Sequence, residues 1–325
     1  MSYWLRRLFA LIPLLLAINL FIFGLFFIVN SPDDMARMHL GQKHVTEGAI
    51  AQWKHERGYD RPLFFAREAK GLNRFTDTLF FQKSLSLLRL DFGRSDAGSD
   101  IGADLRERVG PSLAIAVPTL ILGLGVDVTL ALLLLFFRLT RLEWWGLALS
   151  TGLLSISTLF FIILGQSLFG RVLRLVPISG FDDGLNGLKF VILPILIGVL
   201  AGLGSGVRWY RALFIEEVEQ DYVRTARAKG LSEWRVLRTH VFRNALIPIL
   251  TGVVATVPLL FTGSLLMESF FAIPGLGSYT IEALAQQDFA IVRAMVFLGS
   301  LMSILGLLLT DLSYLLADPR VRLSP

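Results

Sequence analysis

The chain has 325 residues, of which 54% are hydrophobic and 18% charged, with a net charge of +5 and a mean hydropathy of +0.63. Its apolar fraction exceeds that of soluble domains, and the excess lies in runs of about 20 residues, the length that spans a bilayer as a helix. It contains no cysteine, which excludes disulfides, thiolate metal sites and cysteine nucleophiles.

The apolar runs predict an all-α membrane protein with six transmembrane helices. The first run is longer than the apolar core of a cleaved signal peptide, so we expect a retained signal anchor in residues 1–29. A polar external segment, 30–108, and a five-helix core, 109–325, follow. The predicted spans are residues 8–29, 111–137, 144–168, 189–207, 245–269 and 291–314.

The basic residues indicate the orientation of the spans. With the N-terminus inside, the short inner segments carry 14 Lys and Arg residues, whereas the short outer loops carry 4. Because cytoplasmic loops are enriched in cationic residues, both termini are predicted to be cytoplasmic and segment 30–108 external. The same bias explains the net charge, so we expect contact with membrane lipid and no nucleic-acid partner.

A second polar region, segment 208–244, separates the fourth and fifth predicted spans. Residues 214–229 favour an amphipathic helix with Val218, Tyr222 and Ala226 on one face. Gly230 is predicted to end it, and Ser232 to cap a second helix that continues into the fifth span. This pattern fits either a lever that docks on a cytoplasmic partner or an interfacial helix pair anchored by its arginines.

The sequence of this segment resembles the EAA loop of permease subunits from binding-protein-dependent ABC importers, in its peptide-type form. The resemblance lies in Tyr222-Val-Arg-Thr-Ala-Arg-Ala-Lys-Gly230, His240-Val-Phe-Arg-Asn244 and Pro248, and three more stretches (60–65, 89–95 and 263–277) are similar to the B-type peptide permease. Arg224 departs from the general pattern, which has a glutamate there. The usual Pro-Leu-Gly of the second helix is also missing.

The resemblance implies a type I importer permease fold in the bacterial inner membrane, and a transport subunit rather than an enzyme. It implies a second homologous permease, two cytoplasmic ATPase subunits or domains that bind ATP and magnesium, and an external solute-binding protein. Oligopeptides or dipeptides are the expected solutes, with nickel or another non-peptide solute as the alternative. The residues implied in coupling to the ATPases are Tyr222, Arg224, Thr225, Ala226, Arg227, Ala228, Lys229, Gly230 and Leu231.

Two carboxylates are candidates for the transport path or its gate. Asp127 lies inside the second predicted span, where a charge costs about 2.5–3.5 kcal/mol and should face water or the bundle interior. It either lines the path, or it is protonated or hydrogen-bonded to a neighbouring helix. Glu268 lies at the outer end of the fifth predicted span, where it either gates the path, contacts the binding protein or anchors the following loop.

The motifs of other functional classes are missing from the sequence. No Gly-Lys dipeptide occurs, so the phosphate-binding GxxxxGK[ST] loop of an ATPase is absent. We expect no catalytic, metal or cofactor site in this chain. A proton-coupled secondary transporter remains the alternative from a different class; it would use intramembrane acids as relays and show paired repeats, and no repeat is evident.

Overall fold

The computed structural model describes residues 3–41, 45–67, 70–182 and 184–317. Over these ranges the chain is helical and its only extended pairing is the single bridge between Arg94 and Asp100. The predicted all-α fold is therefore confirmed. The helices are α1 (Tyr3–Phe23), α2 (Pro32–Leu40), α3 (Glu47–Arg57), α4 (Asn73–Thr76), α5 (Leu85–Leu88), α6 (Ile101–Phe136), α7 (Arg141–Leu154), α8 (Thr158–Gly165), α9 (Leu188–Val218), α10 (Asp221–Ala228), α11 (Glu233–Val236), α12 (Phe242–Thr256), α13 (Leu265–Phe270), α14 (Leu276–Gln286) and α15 (Phe289–Ala317).

Within the described residues, 5 helical stretches are long and apolar enough to cross a membrane. They are Leu11–Val29, Ile101–Phe136, Leu188–Val218, Glu233–Thr262 and Phe289–Ser313. A bent pair, Arg141–Leu154 with Thr158–Val172, brings the number to 6 if it is one span. The predicted C-terminal cytoplasmic residues after 317 lie outside the described part of the chain.

The third predicted span, 144–168, is wrong as a single helix, because its two halves are bent by 89°. Ser157 has extended backbone (φ −63°, ψ 141°), and its hydroxyl accepts a hydrogen bond from the amide of Leu159 at 3.3 Å. Such a residue caps the start of a new helix and competes with continuation of the old one. The apolar run therefore crosses a cap that hydropathy does not detect.

The limits of three other predicted spans also differ from the structure. The second predicted span, 111–137, begins earlier in the structure, at Ile101. The Asp100 side chain accepts a hydrogen bond from the amide of Ala103 at 2.9 Å, so the helix starts before Pro111. The fourth continues beyond residue 207 to Val218. Its charged end is accommodated because Arg211 pairs with Glu143 of α7 and Phe214 is fully buried.

The fifth predicted span, 245–269, is displaced toward the C-terminus by comparison with the helix observed, Glu233–Thr262. Gly263 has φ +72°, and the short helix α13 starts after it. Glu268 therefore lies on a separate helix and not at the end of the fifth span. A left-handed residue ends a helix regardless of the apolar residues that follow.

The chain divides into two units, each with its own apolar packing. The N-terminal unit contains the residues up to Val109 together with Tyr279–Leu305, and its core includes Phe23, Trp53 and Phe297. The central unit contains Gly110–Ser278 and the last helix from Gly306. Two buried clusters form the core of the central unit, one around Phe214 and one around Ile162.

Candidate functional site

Segment 208–244 contains a sharp turn between α9 and α10. The backbone of Gln220 is extended (φ −71°, ψ 148°), and α10 begins at Asp221, which places a carboxylate at the positive end of the helix dipole. The predicted continuous helix 214–229 is therefore wrong. Segment 208–244 instead presents α10 as a short, independent helix between two long ones.

The apolar face of α10 is formed by Val223 and Ala226, which are 0% and 4% exposed. Tyr222, one turn before Ala226 on the same helix, is 37% exposed and lies at the edge of this face. The buried pair packs against α6, α9 and the chain that leads into α12. This cluster contains Ala131, Leu135, Phe214, Val218, Val236, Leu237, Val241, Ala245 and Ile249.

Gly230 ends α10, as predicted, in a left-handed conformation with φ +79°. Its amide donates to the carbonyl of Arg227 at 2.9 Å, and the amide of Leu231 donates to the carbonyl of Ala226 at 3.4 Å. These two bonds form a Schellman motif, which satisfies the last carbonyls of the helix. A residue with a side chain would be strained at this position.

The turn after Gly230 is closed by an ion pair between Arg227 and Glu233. Arg227 donates from Nε to Oε2 at 3.1 Å and from Nη2 to Oε1 at 2.6 Å, and this pairing raises the pKa of the Arg227 guanidinium. Ser232 occupies the predicted N-cap position before α11, and its side chain makes no capping bond there. The bidentate pair fixes α10 to the start of α11 instead.

Segment 208–244 joins the membrane helix without a break. After α11 the backbone forms a wider π-helical turn, Leu237–Val241, and continues as α12, giving one helical stretch from Glu233 to Thr262. Trp234 at its start contacts the ring of Phe136 edge-on, with centroids 5.8 Å apart. Trp234 therefore links the start of this helical stretch to α6.

The opposite side of α10 faces outward. We call Tyr222, Arg224, Thr225, Ala228 and Lys229 the exposed face of α10. The Arg224 side chain is 72% exposed beside the 96% exposed side chain of Asp221. The Tyr222 hydroxyl donates to Glu217; burial and this bond raise the pKa of Tyr222 to about 12, so it stays protonated at physiological pH. A surface of this kind can bind a partner.

Glu268 is 1% exposed and forms the centre of a hydrogen-bonded cluster. Its Oε1 accepts from the Ser112 hydroxyl at 2.9 Å and from the Ser264 amide at 2.8 Å. Its Oε2 accepts from the amides of Gly277 at 2.6 Å and Ser278 at 3.1 Å. We call these five residues the Glu268 cluster. A buried carboxylate with four donors is well compensated, and it acts here as an anchor for the loop before α14.

Three glycines let the backbone approach Glu268 this closely. A methyl group built on Gly263 or Gly275 would overlap the backbone or the Glu268 carboxylate, and one on Gly277 would overlap the backbone of Ser264. Gly263 also needs its positive φ. Close packing around Glu268 therefore explains the glycines in stretch 263–277, which resembles the B-type peptide permease.

Asp127 lies in α6 against Gly206 of α9, where any side chain at position 206 would overlap the carboxylate. Its Oδ1 is buried and has no hydrogen-bond partner among the described residues. Asp127 and Glu268 are therefore held in different surroundings, and the structure does not bring them into one site. Within the described residues, no group of three His, Cys, Asp or Glu side chains could hold a metal ion.

A cavity of about 480 Å³ lies inside the central unit next to the Glu268 cluster. Small residues of α9 form one wall, namely Pro194, Gly198, Ala201 and Gly202. Thr119 on α6 lines it as well, and its hydroxyl is buried with no partner among the described residues. The opposite face of α9 borders a cavity of about 500 Å³ with aliphatic and aromatic walls, including Ile192, Leu196 and Leu200.

Several residues that build these sites were not identified from the sequence. Ser112 and Phe136 lie far along the chain from their partners Glu268 and Trp234, and nothing local marks them. The two faces of α9 were a usable signal, because its small residues recur at positions 194, 198, 201 and 202 with helical spacing. Averaging hydropathy along the helix hides this difference between its two faces.

Residues 127–323 match the family described as "Binding-protein-dependent transport system inner membrane component". A di/tripeptide transport system permease protein of Pseudomonas aeruginosa is 30% identical over 99% of this chain and 99% of its own length. Dipeptide transport system permease proteins of Escherichia coli and Bacillus subtilis are 29% and 28% identical; each alignment covers 99% of this chain, with 99% and 98% of the relative.

Proposed function

The chain belongs to the family of binding-protein-dependent transport system inner membrane components, and on that basis we propose that it moves peptides as one permease subunit of an ABC importer. It is a multi-pass membrane transport subunit and not an enzyme. Because the chain belongs to this family, we drop the alternative of a proton-coupled secondary transporter. The names of its full-length relatives support di- and tripeptides as solutes.

The proposed mechanism places segment 208–244 in the cytoplasm, in contact with a partner ATPase. The observation that supports this contact is the two-sided helix α10. Its buried face packs on three membrane helices, whereas its exposed face is open to a partner. ATP-driven movement of the partner would press on the exposed face of α10. The Schellman turn and the Arg227–Glu233 pair would pass that movement to the helix Glu233–Thr262 and, through Trp234, to α6.

The partners follow from the same proposal. A second, related permease completes the path, two ATPase subunits or domains supply the energy, and a solute-binding protein delivers the peptide from outside. The positive-inside pattern supports an external segment 30–108 and a cytoplasmic N-terminus. ATP and magnesium would be held by the ATPases, and we assign no cofactor to this chain.

We further propose that the cavity beside the Glu268 cluster is this subunit's share of the path. Its walls are mostly apolar, and the small residues of α9 leave room for a solute. Glu268 lines the cavity but all its bonds are internal, so it would shape the wall rather than bind solute. Asp127 does not line this cavity, and its part in the path stays a prediction that Asp127→Asn would test by uptake.

Gly202 offers a direct test of the path, because no atom lies within 4 Å of the place where its side chain would begin. Gly202→Trp should fill the cavity and abolish uptake while the complex still assembles. Gly152→Trp, at another open glycine outside that cavity, is the control. Full uptake by Gly202→Trp would remove the cavity from the path.

The proposed function as a whole is tested by reconstitution. The chain, its partner permease, the ATPases and the binding protein should together take labelled dipeptides or oligopeptides into proteoliposomes only when ATP is present. The purified chain alone should hydrolyse no ATP. ATP-driven uptake of nickel without peptide would contradict the solute, and peptide uptake driven by a proton gradient without ATP would contradict the mechanism.

A further inference from the structure

The N-terminal unit contains a charged cavity of about 400 Å³ formed by the end of α3, the π-helical turn Phe80–Ser84 and the loop before α6. Its lining includes Glu56, Arg57, Tyr59, Lys83, Arg94 and Asp96. Three of these six side chains are cationic and two are anionic.

The Asp96 carboxylate is already engaged inside the wall of this cavity. Arg57 donates from Nε to its Oδ1 at 3.1 Å and from Nη2 to its backbone carbonyl at 3.1 Å. The amide of Asp96 donates to Asp288, a residue that is 4% exposed, at 2.7 Å. Arg57 and Asp96 therefore neutralise each other, and neither is left to bind a ligand charge.

Lys83 and Arg94 have no such compensation. Among the described residues, neither side chain has a carboxylate within ion-pair distance. The Lys83 ammonium lies 5.2 Å from the ring centroid of Tyr59. Burial and the nearby guanidinium groups of Arg293 and Arg61 lower the pKa of Lys83, and the Asp96 carboxylate opposes that shift without cancelling it. Arg94 is exposed at the edge of the cavity. A partly buried cation without a counter-ion is costly, and an incoming anion would relieve that cost.

The surroundings of the cavity carry charges of both signs. Arg293 is 5% exposed, lies over the ring of Phe27 at 5.2 Å, and its Nε has no hydrogen-bond partner among the described residues. The remaining carboxylate on the lining, Glu56, is 58% exposed and accepts a bond from Gln52 at 3.0 Å. Glu56 therefore stays in solvent at the margin. The buried carboxylate of Asp288 offsets the charge of Arg293, and the lining keeps three cations against two carboxylates.

We propose that this cavity binds one carboxylate of the external solute-binding protein, an Asp or Glu side chain, between Lys83 and Arg94. The inference rests on the proposed external position of segment 30–108. The proposed order of events supports this occupant, because the solute arrives enclosed by the binding protein, whose surface meets the permease first. Complementary charges of this kind mainly set the rate and register of docking.

The test measures the affinity of the purified solute-binding protein for the complete transporter in lipid nanodiscs at low and high salt. Lys83→Gln and Arg94→Gln should each weaken binding about tenfold at low salt, and the difference should shrink at high salt. Lys83→Arg should bind like the unaltered complex. Arg37→Gln, which removes an exposed cation from a different cavity of the same unit, is the matched control and should change nothing.

Arg94 keeps the test valid if Lys83→Gln fails to fold, since Arg94 is exposed and its replacement leaves the interior intact. Wild-type affinity and wild-type salt dependence in both variants would overturn the inference. Binding of a free peptide to the transporter without the binding protein, lost in Lys83→Gln, would assign the cavity to the solute and overturn it too. ATP-driven uptake by the unaltered complex tests the proposed function separately.

Discussion

Segment 208–244 and the Glu268 cluster were both singled out in the sequence, but the structure treats their polar groups in opposite ways. Around Glu268 every carboxylate bond is made within the chain, to Ser112, Ser264, Gly277 and Ser278. On α10 the apolar side is buried and the polar side is open. A region whose polar groups are all used holds the fold together, whereas an open polar face above a packed apolar one suits a partner.

This difference predicts that the Glu268 side chain contributes more to the stability of the complex than the exposed side chains of α10 do. Glu268→Gln should lower the free energy of unfolding by about 3 kcal/mol or more, because the new amide nitrogen cannot accept the bonds that one oxygen accepted. The measurement is the thermal unfolding of the assembled complex in detergent. A stable Glu268→Gln complex that fails in uptake would instead make Glu268 a gate and break the comparison.

The control for that variant is Glu282→Gln. The Glu282 side chain is 52% exposed and pairs with Arg108 at 3.4 Å, so its loss should cost about 0–1 kcal/mol. A similar loss of stability in both variants would show that the buried hydrogen bonds of Glu268 contribute no more than an exposed ion pair.

The two sides of α10 can be separated by Ala226→Leu and Ala228→Leu. Ala226 is 4% exposed, so a larger side chain should overpack the cluster below it and cost about 1–3 kcal/mol. Ala228 is exposed, so the same change there should leave the unfolding temperature unaltered and weaken the association of the ATPase. Both are read by thermal unfolding and by copurification of the ATPase, and a reversed pattern would show that the faces are assigned wrongly.

Gly230→Ala should cost less stability than Glu268→Gln. A left-handed conformation costs a residue with a side chain about 1–2 kcal/mol, so the Schellman turn should loosen. Uptake per ATP hydrolysed should fall while the subunit stays in the membrane. Gly48→Ala is the control, because Gly48 lies inside α3 with space around it. Equal coupling in both variants would remove the turn from the transmission of force.

The sequence predicted the long apolar helices because length and hydropathy are local properties of the chain. Their limits at segment 208–244 differ from the prediction, since α9 continues to Val218 and the next long helical stretch begins at Glu233. It did not predict the break at Ser155–Ser157 or the restart at Asp221, since both depend on one residue adopting an extended backbone. Gly230 was predicted because its conformational freedom is local. Ser112 was not, because its role exists only once α6 and α13 are packed together.

The central claim is that a partner ATPase contacts the exposed face of α10 in the cytoplasm. Because the chain has no cysteine, a single introduced thiol is its only one, and Ala228→Cys and the buried Ala226→Cys form a matched pair. In the assembled transporter, a short thiol-reactive cross-linker should join position 228 to the ATPase and leave position 226 unlinked. Labelling of position 228 by a membrane-impermeant reagent added outside, or no cross-link to the ATPase from position 228, would contradict the claim.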